Sequence, residues 1–266
     1  MSMTSRRQFV LKIVAGTLAL PWLPAFAAKK KKAPASPVCR LTAEQEEGPF
    51  YIKGEPLRSN LVEDRKGVPL VLRVRLLDMQ HCTPLKNASM EIWSCDAGGE
   101  YSGYDSSHMG PPPGGMGPPP GMPHDHAGPP SGQPPHHEPD NDKTFLRGRQ
   151  HTDEQGRVEF STIYPGCYEG RVNHIHLKVR LNDGDRIVYT GQLFFPEAVT
   201  DAVLALPPYS AHDIRRTRAA EDMVFTGQHG ENSMLEIEAA QPGVIAKGFI
   251  GTASVGIDMS KAGKPL

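Results

Sequence analysis

Leu70-Val71-Leu72-Arg73-Val74-Arg75-Leu76 alternates with a period of two. Leu70, Leu72, Val74 and Leu76 share one face, and Val71, Arg73 and Arg75 share the other. That is the pattern of a half-buried β-strand. The same reading extends outward along the chain. Met90, Ile92 and Ser94 alternate with Glu91, Trp93 and Cys95, and Val158-Glu159-Phe160 follows a turn at Asp153-Glu154-Gln155-Gly156. Further strands are expected over 174–180, 187–195, 235–239 and 249–257, with one short helix over 201–206. Many short strands with Gly and Pro punctuation and no long amphipathic helix predict an all-β chain, an antiparallel β-sandwich with long loops.

The 266 residues are enough for a substantial core, and 38% hydrophobic with 22% charged residues is an ordinary globular composition. A formal net charge of −1 gives nucleic-acid binding no support. The excess lies in 27 Gly, 26 Pro and 11 His, and much of it is concentrated in one place. Residues 108–139 hold 12 Pro, 7 Gly, 5 His and 3 Met, a composition that neither packs nor pairs in a sheet. A disordered Pro/Gly/His-rich insertion in a loop is expected. Its His108, His124, His126, His136 and His137, with Met109, Met116 and Met122, suit copper or zinc. The alternative is a solvated spacer.

Arg6-Arg7, then Phe9 and Lys12, an apolar run from Ile13 to Leu23 and Ala25-Phe26-Ala27 form the parts of a twin-arginine export signal. The apolar run is short of the ~18–20 residues of a spanning helix. The expected organisation is a signal over 1–27, a linker over 28–38 and one domain over 39–266. Once cleaved, it would be periplasmic and without a membrane span. The oligomeric state stays open, a homo-oligomer included.

His174-Ile175-His176 lies in the fourth expected strand, so both imidazoles project from one face while Ile175, Leu177 and Val179 face the core. Two adjacent imidazoles suit a transition metal, yet a cupin, a zinc hydrolase or a chance pair would read alike. A zinc site would want another His, Cys or carboxylate nearby. Here the neighbours are Pro165-Gly166-Cys167-Tyr168, Gly170-Arg171, and, farther back, Gly98-Gly99-Glu100-Tyr101 and Tyr104.

At these residues the chain resembles the intradiol ring-cleavage dioxygenases, the non-haem Fe(III) enzymes that include protocatechuate and catechol dioxygenases. Glu47-Gly48-Pro49-Phe50-Tyr51 is similar to that family's entry motif. Glu91-Ile92-Trp93 through Tyr101 resembles the strand and loop of its first tyrosine ligand, and Thr162 through Tyr168 those of its second. Arg171 through His176 resembles its R-x-x-H-x-H end, and Gly191-Gln192-Leu193-Phe194-Phe195 the strand after it. The likeness spans about 39–257 without the insertion. It implies an antiparallel β-sandwich with iron held by Tyr101, Tyr168, His174 and His176. Arg171 would stabilise negative charge on the substrate, and Gln192 would line the pocket. The implied partners are an aromatic diol and O2. Cys167 departs from the Trp of many exported relatives, and the family's helical dimerisation domain has no counterpart.

Tyr104 and Tyr164 rival Tyr101 and Tyr168 as ligands, whereas His151 and His212 lie off the motif. Two other classes compete with the enzyme. One is a β-sandwich module that only binds, and the other is a copper- or zinc-binding protein acting through the insertion. Four cysteines allow three pairings. Cys82 and Cys95 flank adjacent expected strands and are placed to meet, leaving Cys39 and Cys167 to pair or stay free.

Overall fold

The computed structural model describes residues 40–105, 138–181 and 186–260. The signal expected over 1–27, the linker over 28–38, Cys39 and all but the last two residues of 108–139 lie outside the described residues. The elements are β1 (Pro69–Asp78), β2 (Thr83–Pro84), β3 (Ala88–Trp93), β4 (Arg147–His151), β5 (Arg157–Ile163), β6 (His174–Leu181), β7 (Ile187–Phe194), α1 (Glu197–Leu204), α2 (Met223–Gly227), β8 (Glu236–Ala239) and β9 (Phe249–Ile257). Strands dominate, in two sheets. One runs β2-β1-β9-β8 with β5 also on β1, and the other runs β4-β3-β6-β7.

The alternation that opens the reading is the alternation of burial. Leu70, Leu72, Val74 and Leu76 are buried, while Arg73 points outward and pairs with Glu159 on β5. One buried apolar cluster takes Leu72, Phe160 and Val255 from the first sheet and Ile92, Leu177 and Leu193 from the second. Each such side chain contributes ~1.5–3 kcal/mol when withdrawn from water. The helix expected at 201–206 begins earlier, at Glu197. Among the described residues no helix is long and apolar enough to cross a membrane.

Two expectations are corrected. The strands are not all antiparallel: β1 and β9 pair in parallel from Leu70↔Phe249 to Asp78↔Ile257. A parallel neighbour needs a long crossover, and the rest of the domain supplies it. The second correction is that Cys82 does not meet Cys95. Cys82 is disulfide-bonded, whereas Cys95 and Cys167 are free and buried. Cys82 adjoins β2 in the first sheet, and Cys95 follows β3 in the second, with its thiol donating to the Gly166 carbonyl.

The four-stranded sheet has two buried faces. Ile175, Leu177 and Val179 of β6 enter the apolar cluster. His174, His176, Lys178 and Arg180 face the other way, yet they are only 2%, 1%, 1% and 8% exposed. The chain before β1 covers them. Gln45 donates its N–H to the Thr190 carbonyl, and Arg58 donates its own to Arg149. Glu47 forms an ion pair with Lys178 and Glu91 one with Arg180, while the Tyr51 hydroxyl donates to Glu91. Charges taken from water need partners, and these pairs fasten the Glu47-to-Tyr51 segment over the two histidines.

Candidate metal centre

His174 and His176 open β6, and the strand's two-residue period turns both rings to the covered face. Trp93, opposite His176 across the β3–β6 pair, stacks flat on its imidazole, with ring centroids 4.9 Å apart and planes 3° apart. Gly48 lies on the ring's edge. A Cβ there would stand 3.1 Å from His176 Cε1, and its φ of +74° is left-handed, so both space and backbone select glycine.

Four donor atoms converge. His174 Nε2 is 3.0 Å from His176 Nε2, 3.1 Å from Tyr168 Oη and 3.5 Å from Tyr101 Oη. Donors sharing one first-row ion at roughly 2.1 Å stand about 3.0–3.4 Å apart, so these residues fit a metal. The tautomer agrees. His174 Nδ1–H donates to the Val172 carbonyl at 2.6 Å, which leaves the Nε2 lone pair bare toward the cluster. Among the described residues no group of three His, Cys, Asp or Glu has metal-holding geometry, so the donor set here depends on phenols.

Electrostatics keeps all four groups neutral until a cation enters. Burial, reinforced by the Arg171 charge, pushes His174 down to about 3 and His176 well below its ordinary value, with His174 adding to the latter. Burial pushes the Tyr168 phenol up to about 12, although Arg171 pulls the other way. Tyr101 is raised well above its usual range, by burial first and the neighbouring Tyr168 next. Neutral imidazoles are ready ligands, and the phenols need the charge of a metal to lose their protons.

The histidine shifts carry a stability consequence. In the unfolded chain both rings take up protons below about pH 6.5, while in the fold they stay neutral. Their contribution is therefore present above that pH and is lost as pH falls toward the depressed native values. The metal-free protein should lose up to ~2.7 kcal/mol per pH unit from the pair. Urea midpoints at about pH 7 and about pH 5 check this, and an unchanged midpoint would contradict the neutral pair.

The two tyrosine loops are built against each other. Asp96 Oδ1 accepts from the Gly98 and Glu100 N–H groups at 2.9 and 3.1 Å, an Asx turn that leads into Tyr101. The Gly166 N–H donates to the Asp96 carbonyl at 2.9 Å, and a Cβ on Gly166 would meet that oxygen at 2.5 Å. Asn173 Nδ2 donates to the Pro165 and Gly166 carbonyls at 2.9 and 2.7 Å, which ties the start of β6 to the Tyr168 loop. From β4, Arg147 Nε and Nη2 donate to the Ser102 carbonyl at 3.1 and 2.7 Å and so hold the residue after Tyr101.

Arg147 also pairs with Glu55 at 3.2 Å, with both side chains at most 2% exposed. Burial lifts Glu55 to about 7 against the pull of Arg147. Arg147→Met would leave that carboxyl buried without its cation. That carboxyl would take up a proton, and the hydrogen bonds left unmet are expected to cost about 1–3 kcal/mol, measurable by urea unfolding. A change under about 1 kcal/mol would show that the pair is not stabilising.

The rival tyrosines are engaged elsewhere. The Tyr164 hydroxyl is 2.6 Å from Thr200 Oγ1, and the Tyr104 hydroxyl donates to the Tyr51 carbonyl at 3.1 Å. Their place is the core for Tyr164 and the wall behind Phe50 for Tyr104. His212 is exposed and His151 half-buried on β4.

Arg171 lies just before β6. Its Nε donates to Asp222 at 3.0 Å, its Nη2 donates to Gln192 Oε1, and its Nη1 is 3.8 Å from Glu46. Gln192, opposite His176 on β7, is fully buried and is used at both ends. Its Nε2 donates to the Glu46 carbonyl at 2.9 Å. Its side chain is thus engaged at both ends, by Arg171 and by the Glu46 carbonyl. Glu46, Arg147 and Asp222 carried no motif that assigned them to the site, and Trp93 stood in a motif without a role of its own. Asp222 ahead of a short helix is an N-cap signal, but a five-residue helix has too little periodicity to be read.

No protein-family model and no curated protein matches the chain. Solved structures do. An intradiol ring-cleavage dioxygenase from Tetranychus urticae is 32% identical with a TM-score of 0.68, over 83% of this chain and 95% of that one. A second solved dioxygenase gives the same figures. The 3-chlorocatechol 1,2-dioxygenase from Rhodococcus opacus 1CP, 19% identical over 82% of this chain and 72% of that one with a TM-score of 0.51, shares the fold. The one-third identity across nearly the whole of a solved relative, on a chain whose two tyrosines and two histidines converge, makes this protein a member of the intradiol ring-cleavage dioxygenase family.

Proposed function

We propose that the chain is an exported, periplasmic Fe(III) enzyme. It would use O2 to cleave a catechol-type aromatic diol between its two hydroxylated carbons, giving a muconic-acid-type product. The observation that carries this reading is the convergence of the His176 Nε2 and two phenol oxygens within 3.5 Å of His174 Nε2. Tyr101, Tyr168, His174 and His176 would hold the ion. Two hard phenolates favour Fe(III), and the neutral imidazoles complete a set with room for substrate. The chemistry such an ion supplies is Lewis acidity toward the two diol oxygens, with withdrawal of electron density that opens a ring carbon to dioxygen.

The chain's own residues do the rest. Both phenol oxygens are buried, and Tyr168 differs in that the Arg171 charge is the largest influence on it after burial and opposes its rise. Once ionised, either phenol oxygen could take a proton from an entering diol. Arg171 stays charged at neutral pH and offers a fixed cation to negative charge that develops on the substrate. Gln192 and Glu46 hold that cation in place, and Trp93 keeps the His176 ring from turning. The motif over 1–27 supports export, and the two-sheet core supports a sandwich architecture.

The test is oxygen uptake by the iron-loaded protein with catechol, protocatechuate and hydroxyquinol, alongside iron content and visible absorption. A burgundy protein that consumes oxygen with at least one of these diols is the expected result. A colourless, iron-free protein with no uptake would favour the binding module instead.

A further inference from the structure

Asp222 is the N-cap of α2 and is wholly buried, at 0% exposure. Arg171 Nε donates to both of its oxygens, at 3.2 Å to Oδ1 and 3.0 Å to Oδ2, and each oxygen takes backbone donors of its own. Oδ1 accepts from the Val224 and Phe225 N–H groups at 2.8 and 3.1 Å and so caps the helix. Oδ2 accepts from Arg171 Nε and from the Val172 backbone N–H, both at 3.0 Å. The carbonyl of the same Val172 receives His174 Nδ1–H. One carboxylate thus fixes the guanidinium, and fixes the backbone whose next group sets the tautomer of a metal-facing histidine. From the other side, Phe225 of α2 packs edge-on against Phe194, centroids 5.0 Å apart, and Phe194 packs beside His174 at 6.2 Å.

A helix cap alone does not call for this residue in this place. Ser or Asn caps as well without a charge, and a buried carboxylate is costly unless it is paired and hydrogen-bonded. The second oxygen accounts for the charge. We infer that Asp222 is a positioning residue. It holds Arg171 at the rim of the donor cluster and, through Val172, holds His174 with Nε2 bare. The inference rests on the roles given above to Arg171 and His174.

Asp222→Ser separates the two functions. Serine keeps the cap but is too short to reach Arg171 and Val172. Asp222→Asn keeps the shape; with its oxygen toward α2, its amide opposes two N–H donors. Both variants should fold. They should bind iron about 10–100-fold more weakly and lose turnover by a similar factor at nearly constant KM. Adding Asp222→Ser to Arg171→Gln should weaken iron binding but slow turnover per bound iron no further, because Asp222 acts on the charge of the site only through Arg171. In the metal-free protein, nitrogen NMR should show a single Nδ1–H tautomer for wild-type His174 and a mixture in the Ser variant.

Wild-type turnover in Asp222→Ser, or losses per bound iron that multiply in the double variant, would overturn the inference. A wild-type protein that takes up no iron defeats the functional reading alone. The NMR arm then decides for Asp222, and an unchanged tautomer in the Ser variant overturns its positioning role.

Discussion

His176→Ala should purify colourless, with iron at background and no ring cleavage at any diol concentration. His176 is 1% exposed, its Nε2 stands 3.0 Å from that of His174, and no other imidazole among the described residues lies close enough to replace it. Alanine removes a ligand from the interior of the set. It also removes the ring that stacks on Trp93. Packing loss is separated from ligand loss by Tyr164→Phe. That change deletes a buried hydroxyl bound to Thr200, should cost ~1 kcal/mol, and should leave iron and colour intact. Iron per chain, visible absorption and oxygen uptake are the measurements. A coloured His176→Ala protein with stoichiometric iron would sink the four-ligand site.

Arg171→Gln should keep its iron, its colour and its affinity for the diol, and lose turnover by about 10²–10³-fold. The guanidinium is placed to act electrostatically on the whole cluster. Its charge deepens the depression of both histidines and opposes the rise of both tyrosines. Asp222 fixes one edge of it, and Gln192 receives a second nitrogen. An ionised group held this way costs no reorganisation when negative charge grows on the substrate, so it favours the transition state over the ground state. The signature is a fall in kcat with KM little changed. Loss of iron would make Arg171 structural, and normal turnover would remove it from the reaction.

The strands were legible where one face of a strand is apolar and the other polar, as in Leu70–Leu76. β4 was not legible, because Arg147-Gly148-Arg149-Gln150-His151 contains no apolar residue. It is a strand through its pairing with β3 and through a buried ion pair, and neither leaves a periodic trace. The parallel β1–β9 pairing was equally hidden, since a strand's pattern records its faces and not its neighbours. Tyr101 and Tyr168 were separated from Tyr104 and Tyr164 only by motif; the distances that divide them depend on loops shaped by Asp96, Gly166 and Asn173. Asp222 was missed because its two functions lie on one side chain, and only the cap has a sequence signal.

The parallel pair also says when this domain can form. β1 finds one of its two long neighbours only in β9, at the opposite end of the domain. While a ribosome still holds that last strand, Leu70 to Asp78 present an open edge along their whole length. Contacts of such wide sequence separation close slowly, because the intervening chain must be ordered before they form. The first sheet therefore closes only once β9 has emerged, and a nascent polypeptide of this protein is exposed to strand-edge association until then.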